Sequence, residues 1–310
     1  MGRGRCAVLA AVTALSACSS RRVDVPPPSQ EARTYAKPPR YRSFGVDGPT
    51  FADAPTFRWS SGRTRLAIER AHWLVGGSRL DATGVADGRS DSFILDTGST
   101  SSTISSASPL AASLRFVVRP TDAIRSANFG DARSTEDGAL PVLRVGDLEG
   151  HDVPFRVKGA EHSRAAPANV LGADLLQAAA IERVEGAWWL VSEPRAPWAG
   201  ATSVPLSRPG VAVVTLVDAK GAKVNALLDT GAPMCIAFAD AGEGPWTLRG
   251  PGGTALLTVR DAKRAGKRPS LLRAAGTPFE ILVGLDALDA GTWRLDLERG
   301  VWEFAAPAVR

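Results

Sequence analysis

The tripeptide Asp-Thr-Gly occurs twice, each time at the end of an apolar run: "FILDTGST" from Phe93 to Thr100 and "ALLDTGAP" from Ala226 to Pro233. A carboxylate delivered to the end of a buried strand costs free energy unless it is satisfied or used, so two such deliveries constrain the fold more than any other feature. Their surroundings repeat as well. In "GVADGRSDSFILDTGST" a turn at Gly88 precedes Asp96, and in "VDAKGAKVNALLDTGAP" a turn at Gly221 precedes Asp229, with the glycine eight residues ahead both times. Further on, "VLGADLL" around Gly172 matches "LVGLDAL" around Gly284. Last, "IERVEGAWWL" (Ile181 to Leu190) matches "LDLERGVWEF" (Leu295 to Phe304), each two strand-forming runs about a Gly turn. Three matched landmarks in one order predict duplicated lobes over 57–195 and 200–307. The copies are unequal, with 76 residues from Asp96 to Gly172 and 55 from Asp229 to Gly284, so the extra residues of lobe one lie between its aspartate and its helix.

Between the landmarks run short stretches of Val, Leu, Ile, Phe and Trp punctuated by Gly, Asp and Pro, which predicts a mostly β chain. The best helix candidates are short, "ADLLQAAAI" over 173–181 and "LDALDA" over 285–290. Trp188, Trp189 and Trp302 sit at matched repeat positions and are expected to fill the core between the lobes.

Apolar-apolar-Asp-Thr-Gly twice, each followed by apolar-apolar-Gly, resembles the aspartic protease family, which includes the two-lobed pepsins and the retropepsins. The resemblance covers about 57–307 and implies an all-β, two-lobed aspartic protease (pepsin/retropepsin-like) fold built from a duplicated β lobe with short helices. It implies an aspartic-type endopeptidase, a hydrolase whose catalytic residues are Asp96 and Asp229. The chemistry stands without the family. One carboxyl takes a proton from water while another gives one to the carbonyl oxygen, and two adjacent carboxyls share a single proton because like charges cannot both ionise comfortably. The shared proton belongs to the pair and is assigned to neither member. No cofactor and no metal is called for.

The resemblance also assigns supporting roles. Gly98 and Gly231 let the turns bend tightly and offer backbone donors, and Thr97 and Thr230 cross-brace the lobes below the pair. Ser99 matches a hydroxyl that donates to its aspartate, whereas the equivalent Ala232 cannot donate. "LLDTGA" over 227–232 looks more like retropepsins than pepsins. Pepsins carry a tyrosine on the hairpin flap that closes over substrate, but both tyrosines of this chain, Tyr35 and Tyr41, precede the lobes. The extra residues of lobe one, around Thr121 to Leu140, are the best flap candidate, and "LRGPGGTALL" (Leu248 to Leu257) reads as a short turn.

The first eighteen residues, "MGRGRCAVLAAVTALSAC", have a basic start, a short apolar run and small residues before Cys18, the layout of a secretory leader. Leu15-Ser16-Ala17-Cys18 resembles the lipobox of bacterial lipoproteins, which implies cleavage of a signal peptide over 1–18 and a lipid on Cys18. Ser19 resembles the version sorted to the outer membrane, periplasm-facing or at the surface. Residues 19–56, with seven prolines among polar and basic residues, read as a semi-rigid tether. Only Cys6, Cys18 and Cys235 exist, so the exported body has one thiol and no internal disulfide. Cys235 is expected to be a packed strand residue rather than a nucleophile.

The formal charge of +5 falls to +3 without Arg3 and Arg5 (37 − 2 = 35 basic against 32 acidic residues), too mild a bias for nucleic acid. His72, His151 and His162 show no metal-ligand spacing. The basic run Lys263, Arg264, Lys267, Arg268 reads as a solvated loop. The expected partners are a peptide or protein substrate and a membrane, and with both lobes in one chain a monomer is complete. The rival reading is a lipid-anchored binding module that keeps the fold without turnover.

Overall fold

The computed structural model describes residues 43–45, 48–50, 58–71, 77–99, 101–116, 136–158, 169–193, 196–207, 210–266, 273–274 and 277–305. The leader with Cys18 and most of the tether lie outside the described residues, as do His72, His162, Lys267 and Arg268. In the tether, β1 (Ser43–Gly45) and β2 (Gly48–Thr50) form a small hairpin. Among the described residues no helix is long and apolar enough to cross a membrane.

Lobe one begins with β3 (Arg63–Ala71), β4 (Gly77–Ala86) and β5 (Arg89–Asp96). β4 and β5 turn at Asp87-Gly88, where both residues take positive φ (50° and 70°), the two-residue geometry that matches strand twist. Then follow β6 (Thr103–Ser105), β7 (Arg115–Phe116), β8 (Glu136–Val145), β9 (Leu148–Lys158) and β10 (Asn169–Gly172). The single-turn helix α1 (Ala173–Leu176) leads into β11 (Ala180–Val184) and β12 (Ala187–Val191). β13 (Thr202–Pro205) crosses to lobe two, which contains β14 (Val213–Val217), β15 (Lys223–Leu228), β16 (Ile236–Ala237), β17 (Trp246–Arg249), β18 (Ala255–Val259) and β19 (Lys263–Arg264). A short hairpin of β20 (Arg273–Ala274) and β21 (Thr277–Pro278), β22 (Ile281–Val283), helix α2 (Leu285–Leu288), β23 (Trp293–Asp296) and β24 (Val301–Phe304) complete the chain. The fold is all-β and two-lobed, with short helices.

Strand order shows the duplication. In lobe one β10 lies between β5 and β6, parallel to the first and antiparallel to the second, and β6 runs parallel to β9. In lobe two β22 lies between β15 and β16 in the same senses, and β16 runs parallel to β19. β8 pairs with β4 as β17 pairs with β14, so the Pro251–Gly253 turn between β17 and β18 corresponds to the turn at Gly146 between β8 and β9. The inequality of the lobes is thereby located: residues 106–135 separate β6 from β8, against 238–245 between β16 and β17. Of the flap candidate, 121–135 lie outside the described residues. Its end opens β8, where Gly138 and Ala139 pair with Phe116 and Arg115 of β7, so the extra segment leaves and returns at one place.

Both helices are shorter than the sequence suggests. α1 stops at Leu176 because Ala180 already pairs with Val191 of β12 and Asp296 of β23; sheet pairing overrides the helical propensity of "QAAAI". α2 stops at Leu288, and Asp289 caps it with a donated N–H to Leu285 O at 2.8 Å.

The lobes are joined by a continuous antiparallel ladder, β13-β24-β23-β11-β12-β3. At its centre Ile181 of β11 pairs with Leu295 of β23, the two residues that head the matched decapeptides. The approximate two-fold axis relating the lobes passes through that pair. Period-2 alternation gives the ladder two unlike faces. On one, Trp293 is 1% exposed and packs edge-on against Trp188 and Trp302 (centroids 5.1 and 5.7 Å). On the other, Arg294 donates to Glu182 at 2.7 Å and reaches Glu303 at 3.4 Å, all three buried, so these charges are paired as burial demands. Trp189, expected in the core with its neighbour, points to this second face, where the Arg63 guanidinium lies 4.3 Å over its ring. Consecutive strand residues cannot share a face. Of the basic run, Lys263 and Arg264 are exposed on β19, and Arg264 stacks 5.0 Å over Trp246.

Trp293→Ala is expected to cost about 3–5 kcal/mol of stability, read as a lower denaturant midpoint. A loss below about 1 kcal/mol would show that the ladder tolerates a void at its centre.

Candidate active site

The aspartates stand at the ends of β5 and β15 because each strand is held on both sides and then stopped by a loop that must turn. Gly172 of β10 sits opposite Asp96, and the Asp229 N–H donates to Val283 O at 2.9 Å. The loop after each aspartate wraps over the matched landmark glycine. A Cβ on Gly172 would lie 2.7 Å from Ser101 O and one on Gly284 2.5 Å from Met234 O, which is why no side chain fits there.

Below the aspartates the threonines exchange hydrogen bonds between lobes. The Thr97 hydroxyl donates to Leu228 O (2.6 Å) and accepts the Thr230 N–H (3.1 Å); the Thr230 hydroxyl donates to Leu95 O (2.7 Å) and accepts the Thr97 N–H (3.2 Å). Both are buried, at 3% and 0% exposure. Each hydroxyl thus uses its donor and an acceptor site on the opposite lobe, leaving no hydroxyl hydrogen unpaired.

The two carboxyls meet above this brace, hydrogen-bonded to each other. Gly98 and Gly231 make the approach possible by lacking a side chain rather than by unusual backbone angles, for neither has positive φ. A Cβ on Gly98 would stand 2.7 Å from the Asp229 carboxyl carbon, and one on Gly231 2.6 Å from that of Asp96. Each glycine belongs to the turn of one lobe and clears space for the carboxyl of the other.

Backbone donors serve both acids. Ser99 N–H donates to Asp96 Oδ1 at 2.8 Å, and Gly231 and Ala232 N–H donate to Asp229 Oδ1 at 2.9 and 3.1 Å. The Ser99 hydroxyl differs from the expectation: it donates to Ser101 O at 2.9 Å, so the residue reaches Asp96 through its amide. Ala232 serves Asp229 in the same way, through its backbone amide, which needs no side-chain hydroxyl. Burial, and then the neighbouring Asp96 carboxyl, push Asp229 well above the usual carboxylate range, against the opposing pull of the two amides. Two carboxyls this close cannot both ionise comfortably, which favours one proton shared between them.

Cys235 is 2% exposed, and burial pushes its thiol far above the ordinary range, so it is a packed residue and not a nucleophile. His151 sits at the surface against Glu149 at 3.0 Å. Among the described residues no group of three or more His, Cys, Asp or Glu side chains is placed to hold a metal ion.

The site is a pair of facing carboxyls, one from each of two equivalent turns, on an all-β, two-lobed frame. Residues 82–175 match the family model described as "Aspartyl protease", a span that runs from β4 through Asp96 and Gly172 into α1. Among solved structures the chain is similar to the crystal structure of basic 7S globulin from soybean, at 11% identity and a TM-score of 0.49, covering 79% of this chain and 95% of that one. No curated protein matches the sequence.

Two side chains that fasten the site, Asp174 and Asp286, were not singled out from the sequence, although both stand two residues after the landmark glycines in "VLGADLL" and "LVGLDAL". Their partners Ser102 and Cys235 both fall six residues after an aspartate. A Ser matched to a Cys hid the equivalence.

Thr230→Val keeps shape and removes the hydroxyl, leaving Leu95 O and Thr97 N–H without this partner. A loss of about 2–4 kcal/mol is expected in urea unfolding, with Thr97→Val strongly non-additive to it. Additive losses would show that the two threonines act separately.

Proposed function

We propose that this protein is an aspartic endopeptidase that hydrolyses peptide bonds with Asp96, Asp229 and an activated water. The observation that carries the reading is the carboxyl-to-carboxyl hydrogen bond between two equivalent turns, each anchored by backbone amides. The family match over 82–175 supports it at the level of an aspartyl protease domain.

The pair with one proton offers an acid and a base at once. Water oxygen attacks the peptide carbonyl carbon as the ionised carboxyl takes a water proton and the protonated one gives its proton to the carbonyl oxygen. The tetrahedral gem-diol then collapses: the C–N bond breaks as the nitrogen takes the proton of the pair, one gem-diol hydroxyl gives its proton back to the ionised carboxyl as the C=O bond re-forms, and a carboxylic acid and an amine depart. The pair ends with the one proton it began with. The backbone amides of Ser99, Gly231 and Ala232, fixed before reaction, need no reorganisation as charge moves, which is how such a site lowers the barrier.

The sign of the pH dependence follows from the raised Asp229. A carboxyl whose pKa is raised keeps its proton above the usual carboxylate range and loses it as pH climbs through the raised value. Activity therefore rises as the first proton leaves the pair and falls as the second leaves. The expected profile is a bell on the acid side of neutral whose descending limb lies above the ordinary carboxylate range. The test is cleavage of a mixed peptide library by the protein across a pH series, beside Asp96→Asn and Asp229→Asn. Loss of about 10³-fold or more in both variants is expected. A folded parent inert at every pH would overturn the reading and favour a binding module, to which the absence of tyrosine from both lobes points.

The anchoring is part of the proposal. The lipobox-like Leu15 to Cys18 supports a lipid on Cys18 and a tether holding the lobes at a bacterial envelope, most simply the periplasm-facing or surface side of the outer membrane. Cys18→Ala is expected to move the protein from the membrane fraction to the soluble one. Unchanged membrane fractionation together with absence of lipid label would refute it.

A further inference from the structure

Each dyad loop is fastened a second time, by a carboxylate that the hydrolytic chemistry does not use. In lobe one Asp174 accepts the Ser102 N–H at 3.0 Å on Oδ2 and the Ser102 hydroxyl at 2.6 Å on Oδ1. In lobe two Asp286 accepts the Cys235 N–H at 3.0 Å on Oδ2 and the Cys235 thiol at 2.9 Å on Oδ1. The clasp also closes in the other direction: Gly172 N–H donates to Ser102 Oγ at 2.8 Å, and Gly284 N–H to Cys235 Sγ at 3.4 Å. Oxygen in one lobe and sulfur in the other occupy one place with one set of partners. What the duplication retains is a side chain that both donates and accepts.

The clasp bounds the segment that serves the dyad. Between Asp96 and Ser102 lies the Ser99 amide that donates to Asp96; between Asp229 and Cys235 lie the Gly231 and Ala232 amides that donate to Asp229. The middle of each segment is tied to the same helix start, Ala173 N–H to Ser99 O and Leu285 N–H to Ala232 O, both 2.8 Å. We propose that Asp174 and Asp286, acting through Ser102 and Cys235, are positioning residues that hold these amides on the Asp96/Asp229 carboxyls. The proposal rests on reading that pair as the proteolytic site. The charged groups facing these acids are Arg156 of β9 beside Asp174 and Asp96 beside Asp229. Burial and the Asp286 carboxyl keep the Cys235 thiol protonated, as a donor must be.

The test uses the full chain with Asp286→Asn, Cys235→Ala or Cys235→Ser. Asp286→Asn keeps an acceptor for the Cys235 N–H while taking the carboxylate from the thiol. kcat and KM are measured across pH, and the dyad carboxyls are titrated by 13C NMR of labelled aspartate. Amides that donate to a carboxylate favour its ionised form, so loosening them raises the pH at which the pair first ionises. The acid limb of kcat and the NMR midpoint are expected to move up together, by about half a unit or more. kcat falls on the order of tenfold with KM little changed. Cys235→Ala shifts in the same direction, and Cys235→Ser recovers most of what Cys235→Ala loses. Variants that only melt at lower temperature, with the parental pH profile and carboxyl titration in the folded protein, would overturn the proposal. If Asp286→Asn does not fold, the two Cys235 variants decide. If the parent cleaves nothing, the proteolytic reading fails on that result, and the carboxyl titration still decides the clasp.

Discussion

Thr97 and Thr230 each give a hydroxyl hydrogen to a carbonyl of the opposite lobe and take an amide hydrogen in return, and the meeting of the two carboxyls depends on this exchange. Two acids brought together repel if both ionise and lose hydration in any case, and the proton they share does not by itself fix the register of the turns. The exchange supplies the holding force from beneath. Because the hydroxyls are buried and directional, they fix the relative height of the two turns as well as their separation. The glycines then do negative work: with no Cβ at Gly98 or Gly231 the carboxyls approach, and any larger residue would meet the opposite acid.

Around this contact the molecule solves two problems with one topology. Threading β10 between β5 and β6, and β22 between β15 and β16, supports each aspartate strand on both sides and places a helix start beside each dyad loop. The helices are single turns, too short to have stability of their own. Their value here is positional, since Asp174 and Asp286 sit in the first turn of each and face back onto the loop.

Much of this was legible in the residues. The paired "LDTG" turns, the turn glycines Gly88 and Gly221, and the landmark glycines Gly172 and Gly284 announce the duplication, because a backbone that must approach another backbone leaves its mark as glycine at a fixed distance. The extent of α1 was not legible: "QAAAI" has high helical propensity, and only the pairing of Ala180 across two neighbouring strands ends the helix. The face chosen by Trp189 was obscured because composition, unlike alternation, treats adjacent tryptophans alike. The Ser102–Asp174 and Cys235–Asp286 clasps were hidden by an exchange of oxygen for sulfur at equivalent positions, which looks like divergence in sequence and is identity in hydrogen bonding. The Ser99 hydroxyl turned out to serve Ser101 O, a matter of one side-chain torsion that sequence does not encode.

The pairing of Ile181 with Leu295 has a bearing on how such a chain arose. A residue that pairs with its own repeat equivalent marks a strand that is self-complementary in the antiparallel sense. In a chain holding a single lobe, that same strand edge would be open, and the partner that fits its register would be the same strand from a second molecule. Joining two lobes in one chain converts that concentration-dependent association into an intramolecular one, and it frees each copy to diverge. The long segment between β6 and β8 in one half, and its short counterpart between β16 and β17 in the other, are divergences that two identical subunits could not express.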